Sequence, residues 1–335
     1  MSGPGVGFEF PPIEVAWLKR DLLLFANSIG VNVDELHFLY MINHDNEQEL
    51  HPSFAAFPTY PLILPFKHTD QEVIDFLARS SAIPIPGVPK FDQKRGVDGE
   101  RKIEVLKPLP VTSEGRTFEI RQKVLGVYDK GKPGTVIETE TLLVEKKTGD
   151  VYSRVIGSGF MVGQGGWGGP KGPKTVNYPP PEGKKPDATF VQKTTAETAH
   201  LYRDKTLKHD ISLNGDYNPL HATPEPGQQM GFGGVIMHGL YSWNATAHGV
   251  LRRFGGADPN NIKEFAARFA SPVRPGDTLV TDMWRVGPAE GFPAGWDQIR
   301  FVTRVEQSGK VVLSNGRAVV RVVEEKGEKG AKSKL

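Results

Sequence analysis

A pattern of β-branched and apolar residues in near-alternation occurs twice in this chain, once in each half. The first copy spans residues 117–162 and the second spans residues 278–323. Turn sequences such as DKGKPG, KTGD and QSGK interrupt the copies, and each copy follows a proline-containing entry, PLPVTSEGR or SPVRPGD. Alternation with period two, broken by short turns, is typical of antiparallel strands in a meander. The chain is therefore predicted to form two related antiparallel sheets.

A helix candidate precedes each meander. In residues 12–30 the apolar positions recur at helical spacing, and Gly30 fits a C-terminal stop; these positions are Trp17, Leu18, Leu22 and Phe25. The second candidate, residues 234–256, stops at Gly255 and has in register Leu240, Trp243, Ala247 and Leu251. It is apolar on several faces, so we expect a sheet to wrap around it. Runs of strands with one helix in each half favour the α+β class.

The domain plan follows from these two copies and the segment between them. Residues 1–163 are predicted as the N-terminal repeat and residues 190–325 as the C-terminal repeat. The Gly/Pro-rich segment 164–189, which contains QGGWGG and YPPPEG, is predicted to be a linker. The last segment, residues 326–335, is rich in Gly, Lys and Glu and is expected to be an exposed tail.

The composition excludes several kinds of protein. A formal net charge of +2, with Lys and Arg scattered among Asp and Glu, argues against nucleic acid as a partner. The chain has no cysteine, which removes disulfides, thiolate metal sites and cysteine nucleophiles. No apolar run approaches the length of a membrane span. The final tripeptide, Ser333-Lys334-Leu335, matches the peroxisomal import signal, so an import receptor and a peroxisomal location are expected.

The sequence GDYNPLH, at residues 215–221, is the candidate site for chemistry. It holds an acid, Asp216, an amide, Asn218, and an imidazole, His221, within six residues. A carboxylate and an imidazole that face one water form a general acid/base pair, and an amide can hold that water or orient one partner. The later IMHGL predicts a helix that begins near Gly239, whose backbone N–H could stabilise negative charge on a carbonyl oxygen.

Other interpretations of the same residues stay open at this point. Asp, Asn, Gly and Pro are common turn residues, so the loop can be only a turn. Asp216, His221 and His238 could in principle bind a metal, although no HExxH helix is present and no metal site is expected. A serine hydrolase is not favoured, because no GxSxG elbow occurs. GQGGWGG is similar to a phosphate loop, but no GK[ST] follows it.

Three motifs in order give the chain a family resemblance. GDYNPLH, then MHGL, then RFASPVRPG resemble the pattern of the hydratase 2 group, the MaoC-like (R)-specific enoyl-CoA hydratases, and in particular the hydratase portion of peroxisomal multifunctional enzyme type 2. The resemblance covers nearly the whole chain. It implies a double hot-dog fold, in which two repeats each wrap a sheet around a helix. It also implies that only the C-terminal repeat carries the reaction, while the N-terminal repeat makes room for a bulky acyl chain.

The resemblance assigns roles to residues. It implies that Asp216 and His221 add water to a trans-2-enoyl-CoA, giving a (3R)-3-hydroxyacyl-CoA, that Asn218 positions the pair or the water, and that Gly239 donates its N–H to the thioester oxygen. No cofactor is expected, and a homodimer is implied. Ligand contacts are implied for Lys130, Asp98, Gly99, Phe269, Gly215, Tyr217, Pro219 and Leu220.

Three departures from the family pattern concern the substrate. Relatives often have Glu where this chain has Met41, Tyr where it has Phe25, and His-Gly where it has Asp98-Gly99. These changes lie outside the Asp216/His221 pair, so a specialised acyl-CoA is as compatible with the sequence as general fatty-acid β-oxidation. An acyl-CoA thioesterase and a non-catalytic acyl-CoA binder are the alternative functions.

Overall fold

The structure, a computed structural model, describes residues 3–39, 53–69, 83–203 and 216–324. Met41, Gly215 and Ser333-Lys334-Leu335 therefore lie outside the described residues. The described strands are β1 Ile13–Val15, β2 Gly96–Val105, β3 Phe118–Asp129, β4 Gly134–Glu145, β5 Val151–Val162, β6 Ala188–Lys193, β7 Ile262–Phe269, β8 Thr278–Pro288, β9 Trp296–Val305 and β10 Val311–Arg321. The described α-helices are α1 Lys19–Ser28, α2 Leu64–Lys67, α3 Ala196–Arg203, α4 Pro224–Gln229 and α5 Gly239–Gly255. Short 3-10 helices cover Tyr60–Ile63, Gln93–Arg95, Pro219–His221 and Pro259–Asn261.

The strands form a single antiparallel sheet whose order repeats. The N-terminal half contributes β1-β3-β4-β5-β2, and the C-terminal half contributes β7-β10-β9-β8-β6. Corresponding strands of the two halves therefore lie at equal distances from the centre of the sheet, in mirrored order. The two halves join where β2 pairs with β7, with Ile103 opposite Phe265 and Glu100 opposite Arg268. The predicted α+β plan of two repeats, as in a double hot-dog fold, is confirmed, except that the two predicted sheets are joined into one continuous sheet.

Helix α5 lies at the centre of the hydrophobic core. All but three of its seventeen residues are buried, and it contacts β6, β7, β8 and β10. Trp243 is fully buried and meets Phe265 of β7 edge-on, with ring centroids 4.4 Å apart. This packing explains why the helix is apolar on several faces. The helix ends at Gly255, and Gly256 follows with a left-handed φ of 60°, which glycine adopts without strain.

The first helix is shorter than the predicted segment. Ile13–Val15 form strand β1 on β3, and α1 begins only at Lys19. Trp17 lies between the two elements, with its N–H bound to Ser113 Oγ, and Asp21 Oδ2 accepts the N–H of Leu18 at 2.8 Å. The residues before Lys19 thus form an edge strand and a short connection, and the carboxylate of Asp21 caps the start of the helix.

The predicted linker is held by specific contacts. It contains no helix or strand from residue 164 to residue 187, but β6 begins at Ala188, two residues before the predicted boundary. The glycine-rich part wraps around Asp129, whose carboxylate accepts the N–H groups of Gly131, Gly166, Gly168 and Gly169 at 2.7–3.3 Å. The Gly166 N–H and its neighbours hold the pKa of Asp129 below its ordinary value, against the smaller effect of burial. The loop therefore binds a carboxylate of its own chain where a phosphate loop would bind phosphate.

A buried ion-pair cluster connects the two repeats. Glu35, which follows α1, lies 2.9 Å from His248 Nε2 and 3.0 Å from Arg252 of α5. Its side chain is 3% exposed and that of His248 is 1% exposed. Arg252 also makes two hydrogen bonds to the exposed Asp34.

No helix among the described residues is long and apolar enough to span a membrane.

Candidate active site

The loop that carries the acid and the imidazole is shaped by its own side chains. Asp216 Oδ1 accepts the N–H of Asn218 at 3.1 Å, and Asn218 Oδ1 accepts the N–H of Leu220 at 3.1 Å. Two such turns in succession, with Pro219 as the first residue of the 3-10 helix, fix the backbone between the acid and the imidazole. Asn218 therefore orients the loop through its cap, and Asp216 is held by a backbone N–H.

His221 is buried and its tautomer is set by one contact. Its Nδ1 lies 2.9 Å from the carbonyl oxygen of Ile236, which can only accept a hydrogen bond. Nδ1 therefore carries the proton in the neutral ring. Nε2 is then the basic nitrogen, and a fixed tautomer of this kind is what a general base requires.

His238 completes the cluster. From the sequence it is considered only as one of three possible metal ligands, an interpretation that is not favoured. Its ring stacks on His221 with centroids 3.7 Å apart and an interplanar angle of 30°. His238 Nε2 donates to the carbonyl oxygen of Asp216 at 3.2 Å and lies 3.8 Å from its carboxylate. One carboxylate or ring-nitrogen atom from each of Asp216, His221 and His238 lies within 4.8 Å of the others. Such a set could ligate a metal; the expectation of no metal stays a prediction.

The cluster reaches the start of α5 directly, because His238 is the residue before the helix. Gly239 is the first helical residue, and its N–H is among those that a helix leaves without an internal partner. A Cβ at Gly239 would lie 3.2 Å from two ring carbons of Phe269 and 3.8 Å from Asp98 Oδ2. The structure thus brings together Gly239, Phe269 and Asp98, from three different elements and both repeats.

The remaining predicted ligand residues that the structure describes lie in β2, in the loop and at the β3–β4 turn. Gly99 is the extra residue of a β-bulge in β2, where a Cβ would collide with Ser158 Oγ at 2.7 Å. Leu220 is buried, and Tyr217 and Pro219 lie in the loop itself. Lys130 lies at the β3–β4 turn, where it donates to the carbonyl oxygen of Lys171. The role of Lys130 as a ligand contact stays a prediction.

Family models match both halves of the chain. A family model described as the MFE-2 hydratase 2 N-terminal domain matches residues 16–163, and one described as the MaoC like domain matches residues 179–308. Among curated relatives, the chain is 48% identical to "Probable dehydratase NIT22" of Ajellomyces capsulatus, over 95% of this chain and 82% of that protein. It is 32% identical to "Probable enoyl-CoA hydratase 2" of Dictyostelium discoideum, over 95% and 96% of the two chains.

A longer relative and a solved structure extend the agreement. The chain is 30% identical to "Peroxisomal multifunctional enzyme type 2" of Mus musculus, over 92% of this chain and only 37% of that protein. A MaoC-like dehydratase from Phytophthora capsici superposes with a TM-score of 0.75 at 31% identity, covering 95% of this chain and 97% of that one. The chain belongs to the MaoC-like, hydratase 2 family of dehydratases.

Proposed function

We propose that this protein reversibly hydrates a trans-2-enoyl-CoA to a (3R)-3-hydroxyacyl-CoA, in peroxisomal fatty-acid β-oxidation or a specialised acyl-CoA pathway. The observation that carries the proposal is the convergence of an acid, a tautomer-fixed imidazole and a helix N-terminus at one place: Asp216, His221 and Gly239. Family membership supports the hydratase chemistry, and the name of the Dictyostelium relative supports the enoyl-CoA substrate.

The proposed reaction uses groups of this chain alone. The Asp216/His221 pair takes a proton from water as its oxygen bonds to C3. The electrons of the C2=C3 bond move towards the thioester, and negative charge grows on its oxygen beside the Gly239 N–H. The pair then returns a proton to C2, so that the elements of water are added across the double bond and the pair is restored. No cofactor takes part in these steps.

A spectroscopic assay tests the proposed function. Purified protein mixed with crotonyl-CoA is expected to lower the absorbance of the conjugated thioester without releasing free thiol. In the reverse direction, (3R)-3-hydroxybutyryl-CoA should regain that absorbance, whereas the (3S) isomer should not. Thiol release would instead indicate a thioesterase, and tight binding without turnover over a range of chain lengths would indicate a binder. Either result would overturn the proposal.

Gly239→Ala is expected to lower kcat by about 10- to 100-fold, with little change in folding. The new methyl group would press on Phe269 at 3.2 Å and crowd the place where the thioester oxygen is proposed to approach the N–H. Alanine is a better helix former than glycine, so loss of the helix would not explain the result. Steady-state kinetics with crotonyl-CoA check the prediction, with the thermal midpoint as the folding control. Wild-type kcat in this variant would contradict the proposed approach of the thioester oxygen beside Phe269.

Location and assembly remain proposals. We propose that the protein acts in the peroxisome, which the name of the mouse relative supports, and that it forms a homodimer. Fluorescence microscopy of the tagged full chain and light scattering coupled to gel filtration test the two statements.

A further inference from the structure

An ion pair lies on the inner face of the sheet, next to the start of α5. Arg101 Nη2 donates to Asp98 Oδ1 at 2.8 Å. In a regular strand, residues three apart point to opposite faces. The bulge at Gly99 adds one residue, so Asp98 lies opposite Gly159 and Arg101 lies opposite Gly157, two positions of β5 that share a face. The bulge therefore brings Asp98 and Arg101 together.

The face that carries this pair is the one that covers α5. Arg101 lies opposite Ala267 of β7. Ala267 shares its face of β7 with Phe265 and Phe269, and this face packs against the helix. Asp98 Oδ2 lies 3.8 Å from where a Cβ of Gly239 would be. An acidic side chain thus stands beside the proposed oxyanion site.

A carboxylate at this place opposes the proposed reaction. Negative charge grows on the thioester oxygen as water adds, and a second negative charge a few ångströms away raises the energy of that state. The guanidinium of Arg101 is the cation in contact with Asp98 among the described residues. Arg101 Nε is also buried without a hydrogen-bond partner in the described part of the chain, so its donors are not all used by Asp98.

We propose that Arg101 is a positioning residue that neutralises and orients Asp98 beside the oxyanion site, and so makes an acid compatible with hydration there. The inference rests on the proposed function. It assigns to the Gly99 bulge the role of bringing the compensating charge onto the inner face. Arg101 acts through Asp98 and is not required to touch the substrate.

Double-mutant kinetics test the proposal. Arg101→Gln is expected to lower kcat for crotonyl-CoA by about 10-fold with a smaller change in KM, since water partly screens Asp98, which is 34% exposed. Asp98→Asn alone should lower kcat less than Arg101→Gln does, because it removes the charge that Arg101 is proposed to neutralise. The double variant Asp98→Asn/Arg101→Gln should recover at least half of the lost rate, because no charge is then uncompensated. Arg101→Lys should stay close to wild type.

A second ion pair, which joins β2 to the neighbouring strand β7, provides the control. Arg268 pairs with Glu100 on the outer face at 3.2 Å and is similarly exposed, so Arg268→Gln removes the same kind of contact away from the site. Its kcat should equal that of the wild type. Equal losses in Arg268→Gln and Arg101→Gln, or no recovery in the double variant, would overturn the proposal. If Arg101→Gln does not fold, Arg101→Lys and the double variant still decide it. A wild-type protein without hydratase activity would instead refute the proposed function itself.

Discussion

Asp216→Asn is expected to lower kcat for crotonyl-CoA hydration by roughly 10²- to 10⁴-fold, with little change in KM. The amide keeps an oxygen that can accept the N–H of Asn218, so the loop should retain its shape. It cannot take up or deliver a proton, which is the role proposed for the carboxylate. His221→Gln should give a loss of similar size, because it removes the basic Nε2.

The double variant sharpens this prediction. Residues that act as one unit give losses that do not add, so Asp216→Asn/His221→Gln should be about as slow as the slower single variant. Steady-state rates on crotonyl-CoA and the thermal midpoint of each variant are the measurements. A single variant that retains more than a tenth of the wild-type kcat would exclude its residue from the acid/base pair.

Much of this site could be predicted from the sequence because its signals are local. Asp216, Asn218 and His221 lie within six residues, and the turn chemistry that shapes their loop is contained in the same segment. The helix α5 was also predictable, since its apolar positions follow helical spacing and a glycine follows its end.

The contacts between distant segments could not be predicted in the same way. The stacking of His238 on His221 depends on how the loop meets α5, and the approach of Asp98 to Gly239 depends on the pairing of β2 with β7. No local pattern carries that information. The Gly99 bulge belongs to the same class, because it becomes visible only when Asp98 and Glu100 are matched to their partners on β5.

The departures from the family pattern have different structural settings. Phe25 is 1% exposed and meets Tyr60 edge-on at 5.4 Å, inside the core of the N-terminal half. Its missing hydroxyl is therefore consistent with an apolar environment. Asp98, by contrast, lies beside Gly239. Of these two departures, Asp98 is the one next to the proposed reaction.

Glu35→Ala is expected to destabilise the protein by about 3–5 kcal/mol, the largest stability effect predicted here for a single change. The carboxylate contacts His248 and Arg252 of α5 and accepts the N–H of Asn32 at 2.7 Å. Removing it leaves the buried His248 without its acid and loosens a contact between the repeats. At about 2 °C per kcal/mol for a chain of this size, the thermal midpoint should fall by roughly 6–10 °C.

Asp34, the neighbouring acid, shows whether the loss of stability in Glu35→Ala comes from the burial of the carboxylate or from its charge alone. Asp34 makes two hydrogen bonds to the same Arg252 but is 64% exposed, so Asp34→Ala should lower the thermal midpoint far less than Glu35→Ala does. Burial alone would raise the pKa of Glu35, but the hydrogen bond and charge of His248, with Asn32 and Arg252, hold it below its ordinary value of 4.5. The folded pKa is thus the lower one, so the stabilisation is complete above about pH 4.5 and is lost as the pH falls through the folded pKa. The gap in thermal midpoint between wild type and Glu35→Ala should therefore shrink in acid. Equal falls for the two alanine variants, or a gap that widens in acid, would contradict the assignment of Glu35 as a buried, ionised contact between the repeats.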